Sequence, residues 1–467
     1  MDLNIIKSIY FVGIKGVAMA SLAIVAKEMG KEVRGSDVEE EFPTDATLHR
    51  FKIAHVKNFS PEHITDDIEL VIYTGAHQGV NNIEVQTAIK KGIPVLPHGK
   101  ALGLFMQGKK GISVAGSHGK TTTSAMIAHC LFKLGQDPSF AIGCGAINSL
   151  KTPAHAGSGE YFVAEADEYV TDPTSDVTPR FMWQKPQILV ITNIDYDHPD
   201  VYRNLKAVED AFAKFTQQVL KEGLVILNDD DVPTRSIIRT IEQKKITYGK
   251  LETADFQLVN VSYSKSQTNF QVKIQNAIES FTLGIPGEHN ALNSTAAIVI
   301  LVTLGFTVEQ IREVLKSFNG TKRRFEKIAE KNGKLLFDDY AHHPTEITAT
   351  LTAIRNWFPD KRIITIFQPH TYSRTQALLL EFAHSFMVSD VVVLTNIYSS
   401  AREKPIVGVT GEILYGKTKQ YKTSVHYAPT RTDVLEYIKT QTHTGDLLVT
   451  MGAGDIYTWL PQIEAVL

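Results

Sequence analysis

The sequence predicts an α/β protein of three units, each built around a largely parallel sheet. Three observations carry that expectation. Short apolar, β-branched segments alternate with helical stretches, the pattern of β-α-β connections. Twice a strand runs into a glycine-bearing turn and then a helix, at 13–16 and at 116–119. The chain has 467 residues, room for about three domains of ~150 residues, each able to bury its own core.

The first unit opens with Ser8-Ile-Tyr-Phe-Val12, apolar and rich in β-formers. Gly13-Ile-Lys-Gly16 turns the chain into a helix marked by Met19, Leu22, Ala23, Ala26 and Met29, and Gly30 stops it. A second strand, Glu32-Val-Arg34, ends at Gly35-Ser-Asp37; Leu70-Val-Ile-Tyr73 and Ile93-Pro-Val-Leu96 read as further buried strands.

A second unit follows Gly108-Lys-Lys110, with strands at Gly111-Ile-Ser-Val-Ala115, Tyr161-Phe-Val163, Ile188-Leu-Val-Ile-Thr192 and Leu224-Val-Ile-Leu227. Between 254 and 283 the pattern alternates, as in Phe270-Gln-Val-Lys-Ile274, which predicts antiparallel strands. A helix over 292–304 returns to α/β. The third unit starts near Gly320, with strands at Leu335-Leu-Phe337, Ile363-Ile-Thr-Ile-Phe367, Val391-Val-Val-Leu394 and Leu447-Leu-Val449. The expected boundaries are 1–108, 109–320 and 321–467.

Acidic and basic residues nearly balance, for a formal charge of −3. That excludes a chain that grips nucleic acid or an anionic membrane by bulk charge, so phosphate must be met locally. The two cysteines, Cys130 and Cys144, allow one disulfide but fit a reducing compartment better than a secreted scaffold. With no signal-like start and no bilayer-length apolar run, a cytoplasmic protein without membrane insertion is expected.

Gly116-Ser-His-Gly119-Lys120-Thr121 is the sharpest local signal. Glycines let backbone N–H groups fold round an anion at a helix N-terminus, a lysine adds full charge, and a threonine hydroxyl can ligate Mg²⁺. Val114 stands where the standard phosphate loop has its first glycine, but the apolar strand before and the Thr-rich helix start after still favour a nucleotide. Two polar clusters follow later strands: Glu165-Ala-Asp167-Glu168 and Asn193-Ile-Asp-Tyr-Asp197-His198, at strand ends where ligands gather in open α/β sheets. Asp229-Asp-Asp231 reads as a solvated turn and helix start.

Taken together with Gly287-Glu-His-Asn-Ala-Leu-Asn293, Lys322-Arg-Arg-Phe325 and Asp338-Asp-Tyr-Ala-His-His-Pro344, these motifs resemble the Mur ligases of peptidoglycan precursor synthesis over essentially the whole chain. The resemblance implies a three-domain Mur ligase architecture: a Rossmann-like N-terminal domain for a UDP-sugar, a central P-loop ATPase-like domain, and a Rossmann-like C-terminal domain for an amino acid. It implies ATP and Mg²⁺, and a role in cell-wall biogenesis and so in cell shape and division. Gly320-Thr-Lys-Arg-Arg-Phe325, Phe367-Gln-Pro-His370 with Arg374-Thr375, and Met451-Gly-Ala-Gly454 resemble the member that joins L-alanine, or another small amino acid, to UDP-N-acetylmuramate.

Carried onto this sequence, the resemblance implies that Gly116, Ser117, His118, Gly119, Lys120, Thr121 and Thr122 cradle ATP phosphates. His289, Asn290 and Asn293 would complete the nucleotide site, with Arg324 and Asp338 reaching in from the third unit. Thr121, Glu165 and His198 would surround Mg²⁺. Gly13, Ile14, Lys15, Gly16 and Asp37 would hold the UDP-sugar; Tyr340, His342, His370 and Arg374 would shape the amino-acid site. Lys120, His198, His342 and Arg374 are the expected catalytic residues, with His198, His342 and His370 the candidates for the base. Closure of the third unit is expected on binding.

Two alternatives stay open. Tyr169 and Thr371 depart from the alanine-adding pattern; Tyr169 resembles the ligase that recycles murein tripeptide, while Gly454 and the 367–370 stretch point away from it. Asp37 follows Gly13 at close to the ~20-residue spacing of dinucleotide-binding folds, so an NAD-dependent oxidoreductase is a more distant reading, though Lys15 replaces its second glycine.

Overall fold

The computed structural model describes residues 1–264, 266–399 and 403–467. The chain forms three main sheets in sequence order. The first has five parallel strands, ordered Ala54–Val56, Glu32–Ser36, Ser8–Val12, Leu70–Tyr73, Val95–Pro97. Every residue of Ser8–Val12 is buried, as a strand covered on both faces requires. The helix Val17–Glu28 follows at once, and Gly30, at φ +81°, ends it. Met19 to Ala26 are buried without a break, because this helix shares a core with Ala141, Ala154, Phe162 and Ala164 of the second sheet.

The second sheet has ten strands. Its parallel centre places Lys110–Ala115 between Ile188–Ile191 and Tyr161–Ala166. Connections run to both sides of this strand, so its carboxyl end is a topological switch point, where α/β sheets bind ligands. The predicted antiparallel region is present as Phe256–Ser264, Gln267–Ile274 and Ala277–Leu283. The third sheet runs Glu326–Lys331, Lys334–Asp339, Leu447–Met451, Ile363–Phe367, Val391–Leu394, Val425–Tyr427, with only the first strand antiparallel.

Several predicted elements move, three of them notably. The strand expected at 93–96 is Val95–Pro97, since Pro94 has no N–H to give to a ladder. Tyr161–Ala166 runs three residues further than read, which puts Glu165 inside the strand. The helix expected from 292 begins at Glu288, directly after Gly287 at φ +104°. Cys130 and Cys144 are free, buried thiols. Among the described residues no helix is long and apolar enough to cross a membrane.

Candidate active site

The strand Lys110–Ala115 delivers residues 116–119 to the switch point, and the helix Lys120–Lys133 leaves from it. Gly116 takes φ +139° and Gly119 +83°, conformations that side chains rarely adopt. The next strand braces the loop from beneath. Ser117 N–H donates to the Asn193 carbonyl at 3.1 Å and His118 N–H to the Asn193 side-chain oxygen at 2.9 Å. Asn193 thus takes the N–H groups of Ser117 and His118, while the Gly119 turn and the helix start are left open.

Lys120 folds back on its own loop. Its ammonium donates to the Gly116 and Ser117 carbonyls and lies 2.9 Å from Glu168. Burial opposes its charge, but Glu168 and Asp167 outweigh that and hold it above the ordinary lysine range. Burial in turn pushes Glu168 up, with Lys120 only partly offsetting it.

The Thr121 hydroxyl lies 3.2 Å from Glu165, whose other oxygen accepts Gly143 N–H at 2.8 Å. Burial raises Glu165 as well. His198 converges with Asp167 and Glu168. The expected Thr121–Glu165–His198 grouping is therefore two adjoining groups, an oxygen pair and an imidazole–carboxylate cluster, because Glu165 and Asp167–Glu168 lie inside and beyond the strand end respectively.

A cavity of about 460 Å³ opens beside the loop. His118, Gly119 and Thr122 form one side, His289, Asn290 and Asn293 another, and Arg324 reaches in from the third unit. Ile285, Pro286, Leu292 and Ala353 supply an apolar wall. Burial pushes His289 down to about 4, so it lines the cavity as a neutral ring. Asp338 does not line it: its carboxylate takes Arg323 at 2.8 Å and the Thr450 hydroxyl at 2.7 Å. Successive strand residues face opposite ways, and it is Asp339, pushed up to about 6 by burial, that faces the cavity.

At the other end Tyr340, His342, His370 and Arg374 do come together. The His342 ring lies 5.2 Å from Tyr340 and 6.2 Å from His370. Arg374 binds Asp197 of the central unit, and Asp197 is held well below the carboxylate range: burial opposes this, but His198 and Arg374 prevail. Backbone strain gathers here: His198, Arg323, Phe325 and Thr371 all have positive φ, and the β-branched Thr371 at +70° is the least expected of them.

The first unit's glycine turn departs furthest from expectation. Gly13 and Ile14 N–H both donate to the Ser36 carbonyl, and Lys15 N–H donates to Asp37 at 2.7 Å. Ile14 is wholly buried. Lys15 is 1% exposed, its ammonium bound to the Glu40 carbonyl and lying over Phe42. Lys15 N–H and Asp37 thus close the turn between them. Gly16 remains at the helix N-terminus. Tyr169 donates to Asp200 at 2.9 Å and packs on His198, a local use that says nothing for a tripeptide.

Sequence reasoning missed Glu346, Thr345 and Asp339, all lining the cavity, and set Asp231 aside as solvated. Asp231 caps the helix Val232–Ile237 as read, but also accepts Ile194 N–H at 3.0 Å and lines the cavity. A signal for Glu346 existed: it follows the His342-His343-Pro344 stretch by two residues, an acid at the start of a helix.

Three family profiles match the chain: Mur ligase family, catalytic domain, over residues 8–110; Mur ligase middle domain over 114–301; and Mur ligase, glutamate ligase domain, over 323–454. UDP-N-acetylmuramate--L-alanine ligase of Desulfitobacterium hafniense (strain Y51) is 39% identical over 451 residues, covering 96% of this chain and 97% of the relative. The protein of that name from Caldanaerobacter subterraneus subsp. tengcongensis is 39% identical over 463 residues, 98% and 97% of the two chains. The crystal structure of UDP-N-acetylmuramate-alanine ligase from Thermotoga maritima superposes with a TM-score of 0.81 at 27% identity, covering 98% of both chains. A murein peptide ligase from Psychrobacter arcticus shares the fold, with a TM-score of 0.74 at 24% identity and 98% of both chains covered.

Proposed function

The chain belongs to the Mur ligase family, and from that premise we infer that it is the ATP-dependent ligase joining L-alanine to UDP-N-acetylmuramate in the cytoplasm, for peptidoglycan synthesis. The observation that carries the reading is the cavity between the phosphate loop and the third unit. It puts a nucleotide-sized space against Gly119 and Arg324, with the Tyr340–His342–His370 cluster across the Asp197–Arg374 pair. We assign the UDP-sugar to residues 1–108, ATP to 109–320 and the amino acid to 321–467.

A carboxylate and an amine do not condense in water without activation. A lactyl carboxylate oxygen bonds to the γ-phosphorus of ATP, the bond to the bridging oxygen breaks, and ADP leaves, giving an acyl phosphate. The amine nitrogen then bonds to the acyl carbon, and inorganic phosphate departs with the electrons of the C–O bond. Lys120 releases Glu168 to meet the phosphates, and Arg324 offers charge from the far side. His342 takes the amine proton: burial pushes it down to about 4, so the ring is neutral at rest, and being a weak base it accepts the proton only once bonding to the acyl carbon has made that nitrogen strongly acidic. Thr121 and Glu165 present a hydroxyl and a carboxylate, the all-oxygen set that suits Mg²⁺; bound there, with His198 beside the adjoining acids, the ion would screen the two approaching anions.

The test is product mass. The protein is given ATP, Mg²⁺ and UDP-N-acetylmuramate with each of alanine, serine, glycine and the murein tripeptide. The alanyl product with stoichiometric ADP and phosphate supports the reading. A tripeptide product alone, or no nucleotide-dependent product, overturns it.

A further inference from the structure

One carboxylate joins the two ends of this site. Glu346 lies in the first turn of the helix Pro344–Trp357 and is 11% exposed. One of its oxygens accepts His342 N–H at 3.1 Å and lies 3.3 Å from His342 Nδ1. The other lies 3.4 Å from Nδ1 of His118, on the phosphate loop, and 3.7 Å from Arg324. Nε2 of His118 sits 3.0 Å from Asp195, which also accepts the Thr345 hydroxyl at 2.9 Å. Neighbouring residues of one helix thus grasp the phosphate loop's imidazole and its aspartate together.

The same geometry settles a proton. His342 Nδ1 lies 2.9 Å from the Tyr340 carbonyl as well as near Glu346. Both neighbours are acceptors only, so Nδ1 carries the hydrogen and a neutral ring keeps its lone pair on Nε2.

We propose that Glu346 is a positioning residue of the ligation: it holds the His342 backbone N–H and, beside the Tyr340 carbonyl that takes Nδ1–H, its charge favours the tautomer with Nε2 bare for the amine proton, while its other oxygen faces the His118 imidazole of the phosphate loop. This rests on the ligase reading for the identity of the amine. An acid in a first helical turn also gains from the helix dipole, but that role would involve neither histidine.

The experiment labels histidine ring nitrogens with ¹⁵N and records long-range ¹H–¹⁵N spectra of the resting protein, the His342 signal being identified by its loss in His342→Asn. The wild type is expected to show Nδ1 protonated. Glu346→Gln, which removes the charge but leaves the Tyr340 acceptor in place, is expected to raise the Nε2–H fraction of His342 and to lower kcat by about 10²-fold, within the range of lost acid–base catalysis, with KM for the UDP-sugar held within about twofold. Glu346→Asp is expected to restore part of both. A wild-type His342 protonated on Nε2 overturns the proposal even if no variant folds, and so does an unchanged kcat in folded Glu346→Gln. The spectrum needs no substrate, so failure of the wild type to form any amide would sink the ligase reading and leave the tautomer result standing.

Discussion

Arg374 and Asp197 form a buried, two-pronged pair: Nε and one terminal nitrogen of Arg374 lie 2.9 and 2.7 Å from the same Asp197 oxygen. Asp197 follows the strand Ile188–Ile191 of the central sheet, and Arg374 belongs to the helix Tyr372–Ala377 of the third unit. The pair therefore clasps two units. With side chains 5% and 8% exposed, neither partner can lose the other cheaply: stranding one buried charge typically costs roughly 3–5 kcal/mol.

Arg374→Ala has one route around that cost, which is to let the third unit swing away so that water reaches Asp197. The expected result is a larger radius of gyration by small-angle scattering, a kcat lowered by about 10²-fold or more, and a melting temperature that falls less than the burial implies. An unchanged radius with an unchanged melting temperature would show that the pair does not hold the units together.

Lys120→Ala is expected to abolish most turnover without unfolding the chain. Losing one preorganised charge at a reacting phosphate costs about 10²–10³ in rate. The fold survives because the stranded Glu168, already pushed up by burial, can take a proton instead of staying charged. Circular dichroism with phosphate-release kinetics checks both halves; kcat close to wild type would remove the loop from the chemistry.

The sequence made the repeating framework legible. Ser8–Val12, Leu70–Tyr73, Ile363–Phe367 and Val391–Leu394 were read to the residue, because a strand buried on both faces is a continuous apolar run bounded by polar turns. Short edge strands such as Ala154–His155 were not, since two residues carry no period. The phosphate loop, Arg324 and the 340–343 histidine stretch were visible as motifs. What each side chain spends itself on was not: Asp37 and Lys15 close their own turn, and Asp338 faces Arg323 while Asp339 faces the cavity. Such choices depend on partners far away in sequence and on which face of a strand the register exposes.

Two histidines contribute to opposite limbs of the pH–stability curve. His129 is buried, with Nε2 3.0 Å from the Val314 carbonyl and Nδ1 accepting from Ser149. Burial lowers it from 6.5 to about 4. The unfolded chain therefore binds a proton that the native state refuses, and stability falls as pH drops from about 6.5 towards 4. His118 is the reverse: burial opposes its charge, but Asp195 and Glu346 outweigh that and push it up to about 9. Its contribution is full below about 6.5 and is lost as pH rises through about 9. Melting temperatures across pH 4–10, taken as a working range of about six units, are expected to flatten on the acid side in His129→Gln and on the alkaline side in His118→Gln. Parallel curves for variant and wild type would refute the assignment.

Glycine substitutions separate strain from collision. Gly30 has φ +81° and open space where a Cβ would go, so Gly30→Ala should meet only the left-handed penalty, about 1–2 kcal/mol, with kcat unchanged. Gly116 combines φ +139° with a Cβ position 1.9 Å from the Thr192 hydroxyl oxygen and 3.1 Å from Asn193 backbone. That hydroxyl donates to the His118 carbonyl at 2.5 Å, so a methyl group at 116 must push away the brace that shapes the phosphate loop. Gly116→Ala is therefore expected to lose more stability than Gly30→Ala and to raise the KM for ATP as well, because the displaced atoms are those that aim the loop. Thermal melts and ATP titrations of the two variants side by side check this; equal losses of stability with KM unmoved in both would mean that the loop tolerates displacement and that its shape is set elsewhere.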